Sequence, residues 1–174
     1  MTQPTGAATS GRAPRSQRVG LYTAEQRVRR DATRWTLVQG ILAPVQFVAF
    51  VVSAVLVLRY LVNGEGAFAA TVSIVVKTLA LYTIMITGSI WEKVVFDKWL
   101  FADAFFWEDV FSFVVLALHS AYLVMLLGGI GTERERMLLA LAAYATYVVN
   151  ATQFLLKLRA ARLGGIAPQQ AVAA

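Results

Sequence analysis

Glu92, Glu108 and Asp109 are the side chains of this sequence best suited to acid–base chemistry. All three belong to a charged, aromatic segment at residues 91–109, where two long apolar stretches meet. Neighbouring carboxylates disfavour one another's ionised form, so one of them can hold a proton near neutrality and act as a general acid. Solvated charge beside an aromatic belt at a membrane boundary would explain the same pattern.

Lys77 and His119 lie deep inside the two apolar stretches, at residues 68–90 and 110–130. An isolated charge at the centre of a bilayer costs at least about 3 kcal/mol, so both side chains should face the interior of a helical bundle. Such residues are functional candidates, although a hydrogen bond to a neighbouring helix would account for His119 and neutral burial for Lys77. Glu108 is the strongest candidate for the acid because it shares a helical face with His119.

The composition is that of an integral membrane protein. Of 174 residues, 58% are hydrophobic and 15% are charged, whereas soluble domains average about 45–50% apolar and about 25% charged residues. Helices of about 20 apolar residues cross a hydrocarbon core of about 30 Å. Four such runs lie at residues 37–62, 68–90, 107–130 and 137–158. We therefore predict an all-α, integral membrane four-helix bundle.

We predict one membrane domain at residues 21–162, between disordered tails at 1–20 and 163–174. The tails are rich in small and polar residues, which bury too little surface to offset the entropy of ordering. The glycine-containing segment 163–165 should end the last helix. The chain has no cysteine and one histidine, which excludes disulfides, thiolate metal sites and multi-histidine metal sites.

Two capping-box patterns mark helix starts. Thr23 and Gln26 form the first pattern, which predicts a short basic surface helix at residues 24–34 before span one. Thr132 and Glu135 form the second pattern, at the start of span four.

Lysine and arginine are distributed unevenly between the two ends of the predicted spans. Twelve lie on the side that carries both termini and the segment 91–109, and three lie on the opposite side. The side richer in these residues normally faces the cytoplasm, so we predict that both termini are cytoplasmic. No basic stripe is interleaved with exposed aromatic residues, which argues against nucleic-acid binding.

Polar residues recur at helical spacing on the first and fourth spans. Those of the first span either hydrogen-bond between helices or line a ligand pocket, and those of the fourth form its polar face. The two sets are Gln39, Gln46, Ser53 and Tyr60, and Thr146, Asn150, Gln153 and Lys157. Gln46 and Asn150 are our candidates for residues that bind a substrate.

Four stretches of the chain are long and unusual in composition. They are DATRWTLVQGILAP at 31–44, KTLALYTIM at 77–85, GSIWEK at 88–93 and FFWED at 105–109. They closely resemble the 3-vinyl bacteriochlorophyllide hydratase family of photosynthetic bacteria. The likeness runs from about residue 21 to residue 162, and the stretches make it far more specific than a short motif.

The resemblance implies a hydro-lyase of bacteriochlorophyll a synthesis. Its substrate would be chlorophyllide a or a bacteriochlorin relative, whose 3-vinyl group gains water and becomes a 3-(1-hydroxyethyl) group. The reaction would need no cofactor and no metal of the protein's own, because the magnesium belongs to the substrate. The protein would be a multi-pass protein of the bacterial inner (intracytoplasmic photosynthetic) membrane. Its partners would be the lipid bilayer and other bacteriochlorophyll-synthesis enzymes.

Hydration of a vinyl group requires a proton at the terminal carbon, and water then attacks the cation that is delocalised into the macrocycle. On this hypothesis Glu108, with Glu92 or Asp109, donates the proton and positions the water. His119 ligates the substrate magnesium or relays protons, and Lys77 pairs with the propionate or with a carboxylate. Four aromatic residues would pack against the macrocycle, namely Tyr82, Trp91, Trp107 and Tyr122.

Two functions without this chemistry also fit the residues. One is a non-catalytic tetrapyrrole carrier or assembly factor for the photosynthetic apparatus. The other is a small transporter, in which Lys77 and His119 would serve the transported species. A carrier would retain pigment unchanged, a transporter would show uptake driven by a gradient, and a hydratase would add one water to the pigment.

Overall fold

The computed structural model describes residues 21–166, with side chains for residues 21–160, and contains only helices and their connections over that range. The helices are α1 (Ala24–Ala32), α2 (Arg34–Asn63), α3 (Ala67–Phe96), α4 (Phe106–Leu127) and α5 (Glu133–Ile166). Helices α2 to α5 are each long and apolar enough to cross a membrane, which confirms the predicted all-α fold and gives it four candidate spans. The cytoplasmic orientation of the termini and the surface position of α1 stay predictions. The tail predicted at 1–20, and most of the one predicted at 163–174, lie outside the described residues.

Both capping boxes form as their sequences predict. The Thr23 N–H donates to Gln26 Oε1 at 2.9 Å, and the Gln26 N–H donates to Thr23 Oγ1 at 3.2 Å. The Thr132 N–H donates to Glu135 Oε2 at 2.7 Å, and the Glu135 N–H donates to Thr132 Oγ1 at 3.2 Å. Each box satisfies two backbone N–H groups that have no partner within the helix.

Two helices extend beyond their predicted ends. The prediction that segment 163–165 ends the last helix is wrong, because α5 continues to Ile166. Glycine costs about 1 kcal/mol in a helix but still donates its backbone hydrogen bond, so it does not stop a helix by itself. Helix α3 continues past residue 90 to Phe96, and Glu92 therefore lies within its last turns.

The four spans form two helix pairs. Helix α2 packs along α3 and α4 along α5, whereas α3 and α4 contact each other little. We call the interface between the two pairs the seam. Hydroxyl groups bond across it, with Ser53 of α2 at 2.5 Å from Tyr144 of α5 and Tyr82 of α3 at 2.8 Å from Ser120 of α4. Such hydrogen bonds and close packing hold membrane helices together, because lipid provides no hydrophobic drive for their association.

The outward faces of the bundle are apolar. Val62, Phe68 and Leu127 are each more than 80% exposed. Soluble proteins rarely expose apolar surface on this scale, whereas lipid chains solvate it well. The structure therefore agrees with a bundle surrounded by a bilayer.

The segment 97–105, which we call the loop, joins α3 to α4 and folds back across the end of the bundle. Asp97 and Phe101 have positive φ angles of 61° and 58°, a conformation that is uncommon for residues other than glycine. The Phe101 ring stacks on Phe113 with ring centres 5.5 Å apart. The Phe101 N–H donates to Asp109 Oδ2 at 2.8 Å. These contacts hold the loop against the ends of α3 and α4.

Candidate functional site

The centre of the site is formed by Glu92 and Asp109, whose carboxyl groups lie within hydrogen-bond distance of each other. We call these two residues the acid pair, and each is 5% exposed. The loop covers them, since the Ala102 N–H donates to Glu92 Oε2 at 3.2 Å and the Phe101 N–H donates to Asp109. Two buried carboxylates in contact repel each other when both are ionised, and a proton shared between them removes that repulsion.

Glu108 lies beside the acid pair but has a different partner. It forms a salt bridge with Lys157 of α5, and its own side chain is 6% exposed. Lys157 Nζ also donates to the Ala104 carbonyl and lies 5.1 Å from the centre of the Phe105 ring. Lys157 was not among the sequence-based candidates, although its spacing of seven residues from Asn150 placed it on the polar face of span four. That spacing is the signal that could have identified it.

Gln46 of α2 and Asn150 and Gln153 of α5 carry buried amide groups, which we call the amide layer. Asn150 Nδ2 donates to Ser112 Oγ at 2.8 Å. The remaining side-chain oxygen of Asn150 is buried without a hydrogen-bond partner among the described residues, and so are those of Gln46 and Gln153. Buried polar atoms normally have a partner from the protein or from ordered water. This layer therefore has spare acceptors for a water molecule.

Lys77 and His119 are 0% and 1% exposed, so both face the bundle interior as predicted. Lys77 Nζ lies 4.0 Å from the centre of the Tyr147 ring and has no hydrogen-bond partner among the described residues. His119 Nδ1 donates to the Val115 carbonyl at 2.8 Å, which leaves the lone pair of Nε2 unpaired. Ten residues separate His119 from Asp109 along α4, a rise of about 15 Å. The structure therefore does not bring these two residues to the acid pair.

The four aromatic candidates do not converge on one surface. Tyr82 hydrogen-bonds to Ser120 across the seam. Tyr122 is fully buried in the core, and Trp107 is 66% exposed on the outside of the bundle. Trp91 is adjacent to the acid pair in sequence, packs against the aromatic side chains beneath the loop and donates to a threonine hydroxyl of α2 at 2.9 Å.

A cleft of about 530 Å³ opens beside the loop, and we call it the loop cleft. Its volume falls in the range of about 300–1,000 Å³ that is typical of small-molecule sites. Its lining consists of Leu21, Thr23, Gln26, Phe96, Lys98, Ala102, Asp103, Ala104 and Lys157. Two of these residues also contact the buried carboxylates, because Ala102 bonds Glu92 and Lys157 bonds Glu108. The loop cleft is thus separated from the acid pair by a single layer of residues.

Comparison with known proteins adds independent evidence. A family model described as 2-vinyl bacteriochlorophyllide hydratase (BCHF) matches residues 22–160. A protein named 2-vinyl bacteriochlorophyllide hydratase from Rhodobacter capsulatus is 68% identical over 146 residues, which cover 84% of this chain and 85% of that protein. A protein of the same name from Cereibacter sphaeroides is 68% identical over 143 residues, 82% of this chain and 89% of that protein. No solved structure matches the chain significantly.

Proposed function

Because the chain belongs to the 2-vinyl bacteriochlorophyllide hydratase family, whose named members are hydro-lyases, we propose that it hydrates the vinyl group of chlorophyllide a or a bacteriochlorin relative. The family name gives the number 2 to the ring position that systematic numbering calls 3. The product is then the 3-(1-hydroxyethyl) derivative. The observation that carries the mechanism is the acid pair, Glu92 and Asp109, buried at one end of a membrane-spanning bundle.

The acid pair is the proton donor in this proposal. Protonation of the terminal vinyl carbon needs an acid that keeps its proton until the alkene arrives, and a proton shared between Glu92 and Asp109 meets that need. Glu108 is the strongest candidate on sequence grounds, but its carboxylate is bound to Lys157. A carboxylate held in a salt bridge has no proton to donate, and it would have to take one up at the expense of the ion pair before it could act as an acid. We assign Glu108 to positioning, since its salt bridge fixes Lys157 beside the loop.

Proton transfer leaves a second negative charge on the acid pair and a cation delocalised into the macrocycle. The opposite charges stabilise each other at short range in a site that the loop shields from bulk water. A water molecule then adds its oxygen to the cationic carbon, and its proton returns to the acid pair. The cycle consumes one water, changes no oxidation state and restores the shared proton.

In this proposal the attacking water lies in the amide layer. The free side-chain oxygens of Gln46, Asn150 and Gln153 accept hydrogen bonds, and a water that donates to them presents its lone pair to the vinyl group. Ser112 orients Asn150 through their hydrogen bond and lies one turn from Glu108. We propose that this layer holds the nucleophile on the side of the alkene opposite the loop.

Lys77 and His119 lie too deep to take part at the same pigment molecule. With the vinyl group at the acid pair, the rise of about 15 Å to His119 exceeds the distance from the metal of a tetrapyrrole to its own vinyl substituent. We therefore propose that Lys77 and His119 belong to the polar core between the helix pairs and do not bind the substrate magnesium. The magnesium stays part of the substrate, and the reaction uses no cofactor of the protein's own.

A hydration assay tests the proposed function. Bacterial membranes that contain the full-length protein are incubated with chlorophyllide a, and the pigment is followed by chromatography and mass spectrometry. We expect a product heavier by one water that is absent from membranes without the protein. Pigment that binds but keeps its mass would contradict hydration and would favour a carrier.

A further inference from the structure

The proposed reaction gives the loop cleft no role, although the residues that line this cleft are suited to binding a ligand. Its lining combines the apolar side chains of Leu21, Phe96 and Ala104 with the ammonium groups of Lys98 and Lys157 and the carboxylate of Asp103. A site that combines apolar surface with an excess of cationic groups is complementary to a flat apolar molecule that bears a carboxylate. We propose that the loop cleft binds the carboxylate-bearing edge of the pigment and that Lys98 is the residue that holds the carboxylate. This inference rests on the proposed function for the identity of the ligand.

Lys98 is better placed than Lys157 to exchange its partner. Lys98 Nζ is paired with Asp103 at 3.0 Å, and the two side chains are 50% and 95% exposed. Exposed ion pairs contribute little to stability, so a ligand carboxylate can replace Asp103 at small cost. Lys157 is bound to the buried Glu108 and to the Ala104 carbonyl, and removing it from them would leave a buried carboxylate without its partner.

Lys98 is also better placed than Lys77, for which the hypothesis based on the resemblance names the propionate or a carboxylate as the partner. Lys77 is fully buried and faces the Tyr147 ring. A carboxylate at that depth would lose its hydration in return for one ion pair, and such an exchange often gives no net stabilisation. At the loop cleft the carboxylate keeps part of its water shell while it gains the charge of Lys98. The single layer between the cleft and the acid pair leaves the reactive edge of the same molecule near the acid.

The experiment compares the binding of two pigments that differ only in charge. The dissociation constants of chlorophyllide a and of its methyl ester are measured by quenching of tryptophan fluorescence in the full-length protein in detergent micelles. For the wild-type protein we expect the free acid to bind about three- to tenfold more tightly than the ester, the range for a partly exposed charged hydrogen bond. Lys98→Met should remove this preference by weakening only the binding of the free acid. Asp103→Asn should strengthen binding of the free acid, because it frees Lys98 from its competitor.

Lys93→Met is the matched control. Lys93 lies five residues from Lys98 and is paired with Asp97 at 2.6 Å, an ion pair that lowers the pKa of that carboxyl, but it does not line the loop cleft. We expect this variant to keep the wild-type preference for the free acid. Equal affinities of the wild-type protein for acid and ester, or equal weakening of both by Lys98→Met, would overturn the inference.

Binding and hydration are scored separately, so that the two proposals can fail independently. Charge-dependent binding without any added water would retain the loop cleft as a carboxylate site and reject the hydratase mechanism. Hydration of both pigments with no charge preference would retain the mechanism and reject the role of Lys98.

Discussion

Replacement of Glu92 by glutamine removes the proton that we propose the acid pair shares, while the size of the side chain stays nearly the same. Glutamine has nearly the same volume as glutamate, and its oxygen can still accept the Ala102 N–H that now bonds Glu92 at 3.2 Å. The loop should therefore stay in place while the proton held between Glu92 and Asp109 is lost. A single general acid contributes about 100- to 10,000-fold in rate, which corresponds to about 2.7–5.5 kcal/mol of transition-state stabilisation. We expect kcat for hydration to fall by that factor.

Asp109→Asn should cause a loss of similar size, and the double variant should be about as slow as the slower single variant. Both single changes remove the same proton, so their effects should not add. The activities of the two single variants and the double variant are measured as initial rates of product formation in membranes that contain equal amounts of protein. Glu25→Gln, an exposed carboxylate of α1, controls for the general effect of removing a charge and should retain the wild-type rate.

One pattern of rates would refute the assignment of the acid. In that pattern, the Glu92→Gln and Asp109→Asn variants hydrate the pigment at the wild-type rate, whereas the Glu108→Gln variant is inactive. The proton donor would then be Glu108, and the argument from its salt bridge with Lys157 would be wrong.

Three further predictions concern the bundle around the site. His119→Leu should retain most of the hydration activity, because about 15 Å of helix separates His119 from the acid pair; a loss of hydration together with a changed absorption spectrum of the bound pigment would instead indicate a magnesium ligand. Lys157→Met should lower the free energy of unfolding by about 1–3 kcal/mol, because it leaves Glu108 buried without its partner. The double variant Lys157→Met with Glu108→Gln should recover part of that loss. Thermal unfolding in detergent measures the stability of each variant. If the effects of the two substitutions on stability simply added, the salt bridge would be contradicted. Gly131→Ala should lower the free energy of unfolding by about 1–3 kcal/mol, because it forces a side chain into a positive-φ conformation. The new Cβ would also lie 2.9 Å from a methionine methyl group. Gly40→Ala is the control, because no atom lies within 4 Å of the position that a Cβ would take at Gly40. This variant should keep or raise the melting temperature, since alanine favours a helix more than glycine does.

Local sequence features predicted the parts of this fold that depend on neighbouring residues. The four spans follow from hydropathy, and the capping boxes at Thr23 and Thr132 follow from side chains three residues apart. Burial of Lys77 and His119 follows from the cost of a charge in lipid, whatever the partner helix is. The end of α5 could not be predicted in the same way, because glycine weakens a helix without ending it.

The sequence by itself predicted four helices long and apolar enough to cross a membrane, and it placed three carboxylates where two of them meet. Only the tertiary structure decided how those carboxylates divide, with Glu92 and Asp109 facing each other and Glu108 bound to Lys157, 49 residues away. It also decided that α2 pairs with α3 and α4 with α5, and that the loop cleft lies beside the acids. The physical reason is that hydropathy and capping act within a few residues of one helix. Ion pairs and clefts depend on how distant helices pack, and no spacing along the chain specifies that packing.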